Sequence, residues 1–225
     1  MPSPESTIRL RVWGDYACFT RPEMKVERVS YEVMTPSAAR NILQAVCWKP
    51  AIDWEVRRID VLKPIRWTSV RRNEVGTVVS TQSALAAMKA GHGRLGMYVE
   101  EERQQRAGMI LRDVEYVIHA RFRMTERAGP DDNPGKFADM FRRRAERGQC
   151  AWQPYLGCRE FAAYFAPVPP NAPEPEPITD TRELGWMLHD FDYDARPSPS
   201  PSFFEARLEA GRVAVPPRPG AEAIR

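Results

Sequence analysis

Between Ile110 and Met124 the chain changes side-chain character at almost every step. Val114, Tyr116, Ile118, Ala120, Phe122 and Met124 fall on one side, and Asp113, Glu115, His119, Arg121 and Arg123 on the other. A period of two belongs to a β-strand, whose successive Cβ atoms point to opposite faces. The run predicts a long strand over 110–124, one face in a core and the other charged. Val117 is the apolar residue out of step.

The other elements arrange themselves around this strand. Residues 7–13 alternate in the same way, with Ile8, Leu10 and Val12 on one face. Residues 20–33 are basic and irregular and read as loop or strand. Thr35-Pro36 supplies a capping hydroxyl and a proline at the first helical position, and Ala39, Ile42, Leu43 and Val46 follow at helical spacing. That helix stops near Trp48, because Pro50 disfavours helix at Lys49. Residues 54–70 read as one extended segment, with Pro64 marking an edge or bulge. Residues 71–108 read as an insertion with some helix and a mobile loop around glycines 91, 93 and 96. Asn133-Pro134 starts a helix to about 147, with Phe137, Met140 and Phe141 as its core stripe. Residues 150–166 read as strand, turn and strand.

The order β, α, β, insertion, β, α, β predicts an α+β fold with two helices crossing an antiparallel sheet. This is the ferredoxin-like, RNA-recognition-type layout. It occupies 1–166. Half of the residues in 166–177 are proline, so 167–177 reads as a linker. Residues 178–215 read as a small β-rich module, a hairpin with the Pro-Ser repeat in its loop, and 216–225 as a disordered tail.

Charge narrows the partner. The net charge is +3, yet residues 166–225 hold 6 Arg and no Lys against 10 acidic residues, while 1–165 hold 27 basic and 20 acidic. A basic body with an acidic tail suits a polyanion. Four cysteines, at 18, 47, 150 and 158, show no Cys-x-x-Cys spacing, and only three histidines are present. That pattern argues against a metal site and fits a reducing cytoplasm, with no cofactor. The first residues lack a signal-peptide pattern, and no apolar run approaches the roughly 20 residues of a membrane span.

Several segments then fall into a familiar order. They are Val12-Trp13-Gly14-Asp15-Tyr16-Ala17-Cys18-Phe19-Thr20, Ser30-Tyr31, Thr35-Pro36-Ser37-Ala38-Ala39, Trp48-Lys49-Pro50, Val61-Leu62-Lys63-Pro64-Ile65 and Arg71-Arg72-Asn73-Glu74. Leu156-Gly157-Cys158-Arg159-Glu160-Phe161 and Gly185-Trp186-Met187-Leu188-His189-Asp190-Phe191 complete the series. Together, from about residue 8 to 215, they resemble the fifth Cas family in its subtype I-C form. The resemblance implies a ferredoxin-like N-terminal domain and a small β-rich C-terminal part. It also implies metal-independent cleavage of the repeat hairpin of precursor CRISPR RNA, retention of the 5′ handle, and assembly with other Cas subunits into an interference complex.

Metal-free RNA cleavage uses the ribose 2′-OH as nucleophile. It needs a base near that hydroxyl, a cation near the non-bridging phosphate oxygens, and an acid at the leaving 5′-oxygen. The family supplies a Tyr just before Trp-Lys-Pro and a Lys-His pair at the start of the second helix. Lys136 matches; Cys47 stands at the Tyr position and Phe137 at the His position. Lys136 lies in the first turn of a helix, beside backbone N–H groups that suit an anion. Phe137 fits its helix's core stripe. Cys47 is either a structural side chain or, as a thiolate, a base. His119 and Tyr31 are the substitutes available for proton transfer. For RNA binding the basic candidates are Lys25, Arg28, Arg40, Lys49, Arg71 and Arg72, with Arg143 and Arg147 extending the face beside Lys136. Tyr16, Phe19 and Trp48 are the aromatic candidates for stacking or packing. The alternative to a nuclease is a subunit of the same complex that binds the handle without cutting.

Overall fold

The structure is a computed structural model that describes residues 8–92, 95–169, 171–193 and 198–218. Its spine is the strand legible in the sequence, now longer: β4 runs over Arg103–Met124. β1 (Ile8–Ala17) pairs antiparallel along one edge, from Ile8 opposite Ala120 to Ala17 opposite Leu111. The other edge is shared by two strands. β2 (Ile52–Val61) covers 116–124, and β3 (Trp67–Val75) covers 103–111. β4 kinks at Asp113, where β2 hands over to β3; this residue takes φ +52°, and Lys63 Nζ grips its carboxylate at 2.6 Å. Aspartate tolerates this left-handed conformation better than most residues. With β5 (Tyr164–Pro167) outside β1 and β8 (Arg212–Ala214) outside β2, the sheet order is β5-β1-β4-β2-β8.

Two helices lie on one face. α1 (Pro36–Val46) begins at Thr35, whose hydroxyl accepts from the Ala38 N–H at 3.3 Å. α3 (Pro134–Glu146) begins at Asn133, whose Oδ1 accepts from the Lys136 N–H at 2.9 Å. Each cap satisfies an N–H that the helix itself leaves unpaired. Ile42, Leu43 and Val46 of α1 and Phe137 and Phe141 of α3 pack into one core with Leu10, Val12, Ile59 and Ile118 of the sheet. Trp54 joins them: its ring lies 5.3 Å from Phe122 and 5.0 Å from Phe141, and its Nε1 donates to the Cys47 carbonyl at 3.0 Å.

Three expectations are corrected. Residues 54–70 are not one strand, because the chain breaks between Val61 and Trp67; the bulge lies at Val56/Arg58 rather than at Pro64. Residues 71–108 are not merely an insertion: β3 and the first half of β4 form a paired arm, with α2 (Thr81–Ala90) between them. Of glycines 91, 93 and 96, only 91 and 96 fall within the described residues. Residues 150–166 yield a bridge, Tyr155 opposite Ala162, and the short β5, rather than two strands. Residues 20–33, open between loop and strand from the sequence, form a loop with bridges at Thr20–Ser30 and Val29–Met109.

The proline-rich segment lies against the sheet face opposite the helices. The Val168 N–H donates to Arg9 O, and Glu174 pairs with Arg58 at 2.8 Å and Arg9 at 3.5 Å. β6 (Arg182–Asp192) and β7 (Ser200–Leu208) then form a hairpin whose Met187, Leu188 and Phe204 enter the common core. The Pro-Ser loop is described only from 198 onward, and the tail reading at 219–225 falls outside the described residues.

Candidate nucleic-acid interface

The C-terminal end of α1 and the start of α3 bring three anticipated residues together. Chain direction changes at Cys47, which caps α1 in extended conformation and leaves Trp48 half-exposed and Lys49 exposed. Across from them Lys136 projects from the first turn of α3, its Nζ 2.7 Å from Asp132 Oδ1. Lys136, the Gly129 N–H and the charge of Lys49 hold the Asp132 carboxyl below the usual aspartate range. One ammonium group thus pairs with a partly buried carboxylate at the positive end of a helix, and the charge of a second reaches it. A phosphate offers the same charge with more oxygens, so it can replace Asp132 as their partner.

The side chains named beside Lys136 behave differently. The Cys47 thiol is buried and its pKa is pushed up by burial, against the opposing charges of Arg144 and Lys49. Phe137 is 3% exposed and belongs to the core. Arg143 and Arg147 follow along α3, roughly two and three turns from Lys136. Arg143 donates to Asp139 O at 3.4 Å, and Arg147 caps the helix.

A larger cleft, about 730 Å³, opens between α1, the 19–25 loop, the Tyr155–Gly157 turn and the tip of the β6–β7 hairpin. One wall is the polar stripe of α1, Ser37, Arg40, Asn41 and Gln44, at helical spacing. Lys25 stands opposite, and Phe191 and Tyr193 offer exposed rings from the hairpin. Of the anticipated residues, Phe19, Lys25 and Arg40 line it. Phe19 does so from the core, 2% exposed and edge-on to Tyr116 at 6.1 Å. Arg40 is held by Asp190 through two hydrogen bonds of 2.7 and 2.6 Å.

The remaining residues are dispersed. Arg28 and Arg72 converge on Glu160, Arg28 at 3.0 Å, while Arg71 is exposed on the arm. Tyr16 is half-exposed, its ring 6.1 Å from that of Phe161. Tyr31 is buried; its hydroxyl accepts from the Leu188 N–H at 3.3 Å, and burial raises its pKa. His119 lies on the face away from both helices. It is 5% exposed, and its Nε2 is 2.8 Å from Asp60 Oδ2. Asp60, His119 and Glu174 have the donor atoms of a metal site, within 4.8 Å of one another. The Arg58 guanidinium already lies among them, Nη2 at 3.0 Å from Asp60 Oδ2, 3.0 Å from His119 Nε2 and 2.8 Å from Glu174 Oε2. The residues therefore fit an internal cation better than a metal.

Asn41, Gln44, Asp132 and the hairpin aromatics Phe191 and Tyr193 were not singled out from the sequence. For α1 a signal was present, since positions 37, 40, 41 and 44 are its polar face. For the hairpin there was none, because only the fold brings it to α1.

Comparison with known proteins gives a consistent result. A family model of CRISPR-associated proteins (Cas_Cas5), in its Cas5d form, matches residues 7–216. A CRISPR pre-crRNA endoribonuclease Cas5d of Mannheimia succiniciproducens is 54% identical over 215 residues, covering 93% of this chain and 95% of that protein. The protein of the same name from Thermus thermophilus is 40% identical over 226 residues, 93% of this chain and 91% of that one. Among solved structures, a functionally uncharacterized protein from Streptococcus mutans aligns over 97% of this chain and 96% of its own, with TM-score 0.66 at 21% identity. A CRISPR-associated protein aligns over 96% of this chain and 94% of its own, with TM-score 0.67 at 21% identity. The fold is thus shared beyond recognisable sequence similarity, and by its sequence this chain belongs to the CRISPR-associated Cas5 family, in the Cas5d form.

Proposed function

We propose that the chain is a pre-crRNA endoribonuclease that cuts the repeat hairpin and stays on the 5′ handle as a subunit of a type I-C surveillance complex. The observation that carries this is the 54% identity, along nearly the whole chain, to a pre-crRNA endoribonuclease. A chain of a CRISPR RNA-guided surveillance complex also aligns over 94% of this one, with TM-score 0.53 at 16% identity. The β-α-β-β-α-β succession around the order β5-β1-β4-β2 supports a ferredoxin-like reading of the body. The other partners are Cas subunits, and no described helix is long and apolar enough to cross a membrane.

In this reading Lys136 faces the scissile phosphate and stabilises the charge that grows on its non-bridging oxygens as the 2′-OH attacks. The α3 N-terminus adds its dipole, and Lys49 and Trp48 hold the flanking nucleotides. Cys47, Tyr31 and His119 serve the fold. Two have pKa values raised by burial, and the third is on the far face under Glu174. The protein's contribution is then charge and positioning, without a dedicated proton carrier among those three. An enzyme that turns over once and keeps its product tolerates a modest rate. The cleft binds the handle, with Lys25 on phosphates and the hairpin aromatics on bases.

The test is purified protein in excess over repeat hairpin RNA, in EDTA. The expected product ends in a 2′,3′-cyclic phosphate and disappears with Lys136→Ala. RNA that is bound tightly but left intact would favour a second reading, a handle-binding subunit without cleavage. What favours that reading is Phe137, a core residue where the family places a proton carrier.

A further inference from the structure

Four free cysteines are present, and two of them meet. Cys18 directly follows β1, and its N–H donates to the Leu156 carbonyl at 3.0 Å. Gly157 then turns with φ +85°, so close that a Cβ there would lie 2.1 Å from the Cys18 carbonyl oxygen. No other residue fits, and the turn lays Cys158 beside Cys18 across 140 residues of sequence. Cys158 Sγ is 3.4 Å from Cys18 O, and Thr20 Oγ1 lies between the two thiols, 3.5 Å from Cys18 Sγ and 3.7 Å from Cys158 Sγ. Arg28 Nη1 is 3.5 Å from Cys158 Sγ. Cys18 is 1% exposed, while Cys158 is partly open to solvent. One sulfur is thus reachable and next to a guanidinium; the other is enclosed and shares the Thr20 hydroxyl with the first.

We propose that Cys18 and Cys158 form a peroxide-reactive thiol pair, in which Cys158 is the sulfur attacked and Cys18 closes a disulfide onto it. The oxidant is hydrogen peroxide. The Cys158 thiolate attacks one peroxide oxygen; the O–O bond breaks, the S–O bond of a sulfenic acid forms, and hydroxide leaves. Cys18 then displaces the sulfenic hydroxyl: the S–S bond forms, the S–O bond breaks, and the Cys18 proton leaves with that hydroxyl as water. The first hydroxide recovers the proton Cys158 lost on ionising. The sum is two thiols and one peroxide giving one disulfide and two waters, with both sulfurs oxidised and both oxygens reduced.

The surroundings favour this division of roles. Hydrogen bonding from the Cys18 thiol and from Thr20, with the Arg28 charge, outweighs burial and the nearby Glu160 and brings Cys158 down to about 6. The same partnership pushes Cys18 up. A thiolate at neutral pH beside a thiol is the arrangement redox-responsive cysteines use, and such pairs close transiently in a reducing cytoplasm. Thr20 and Gly157 also line the cleft, so the bond would form in its wall. The inference does not depend on the nuclease reading.

The test uses the intact wild-type chain. Hydrogen peroxide is added in small excess, the protein is alkylated in denaturant, and peptides are mapped by mass. The expected result is one linked pair, Cys18–Cys158, reversed by dithiothreitol, with Cys47 and Cys150 still alkylated. Alkylation at all four cysteines, or oxidation first at Cys150, would overturn it. In Cys18→Ser, dimedone should trap a sulfenic acid at Cys158, and failure to trap it overturns the assignment of the attacked sulfur. On native wild-type protein, iodoacetamide labelling of Cys158 should reach half its maximal rate near pH 6. A midpoint near the ordinary thiol value of 9.0 would mean a merely structural contact.

Discussion

Arg40 of α1 and Asp190 of β6 meet through two hydrogen bonds, Nε to Oδ2 at 2.7 Å and Nη2 to Oδ1 at 2.6 Å. Their side chains are 16% and 6% exposed, so the pair is largely removed from water. It ties the hairpin to the helix that forms the other wall of the cleft. The arginine that the sequence offered for phosphate binding is thereby engaged within the protein.

Removing one partner of such a pair strands the other. Asp190→Ala should cost about 3 kcal/mol in denaturant unfolding. Arg40→Ala should cost a similar amount, and the double variant less than the sum. Strict additivity would show that the two side chains do not act together.

Lys136→Ala should lower the single-turnover cleavage rate by roughly 10²–10³, the scale for losing one group that stabilises transition-state charge. Its side chain is 46% exposed and its ion pair with Asp132 is a local i,i+4 contact at a helix start, so the melting temperature should hardly move. Cys47→Ala should leave the cleavage rate unchanged. A matching loss of rate in Cys47→Ala would return proton transfer to that position.

The Asp60 carboxyl is buried, which alone would raise its pKa, but hydrogen bonds and charge from His119 and Arg58 outweigh this and hold it below 3.8. A carboxylate lowered by folding stabilises the native state fully above its unfolded pKa, and that stability is lost as pH falls through the depressed value. Wild-type protein should therefore lose this contribution on acidification below about pH 4. Asp60→Asn should be less stable at pH 7 and show a shallower slope in the acid range. Equal slopes for both proteins would remove Asp60 from the acid transition.

The cleft makes a separate prediction about binding. Tyr193→Ala should weaken handle affinity by about 1–3 kcal/mol if a base stacks on that ring. Lys25→Ala should weaken it at low salt and reduce the salt slope by roughly 0.7, the value for one phosphate contact to a single strand. Fluorescence anisotropy across a salt series reads both. An unchanged slope with unchanged affinity would place the RNA elsewhere.

Local chemistry determined much of this fold from sequence alone. The alternation at 110–124, the Thr35-Pro36 and Asn133-Pro134 caps and the helical spacing of apolar residues each act within a few residues, so each is readable without a partner. Tertiary structure decided what those elements face. Val117 and His119 sit on the polar side of β4 yet are buried, and Glu174, from a proline-rich segment some fifty residues later, lies against His119. Tyr31 reads as a proton carrier and Arg40 as a phosphate ligand until the hairpin, about 150 residues away, supplies Leu188 and Asp190 as partners. Lys136 kept its exposure because its neighbours, Asn133 and Asp132, are local. Pairing across long separations depends on how the sheet closes, and neither periodicity nor propensity encodes that closure.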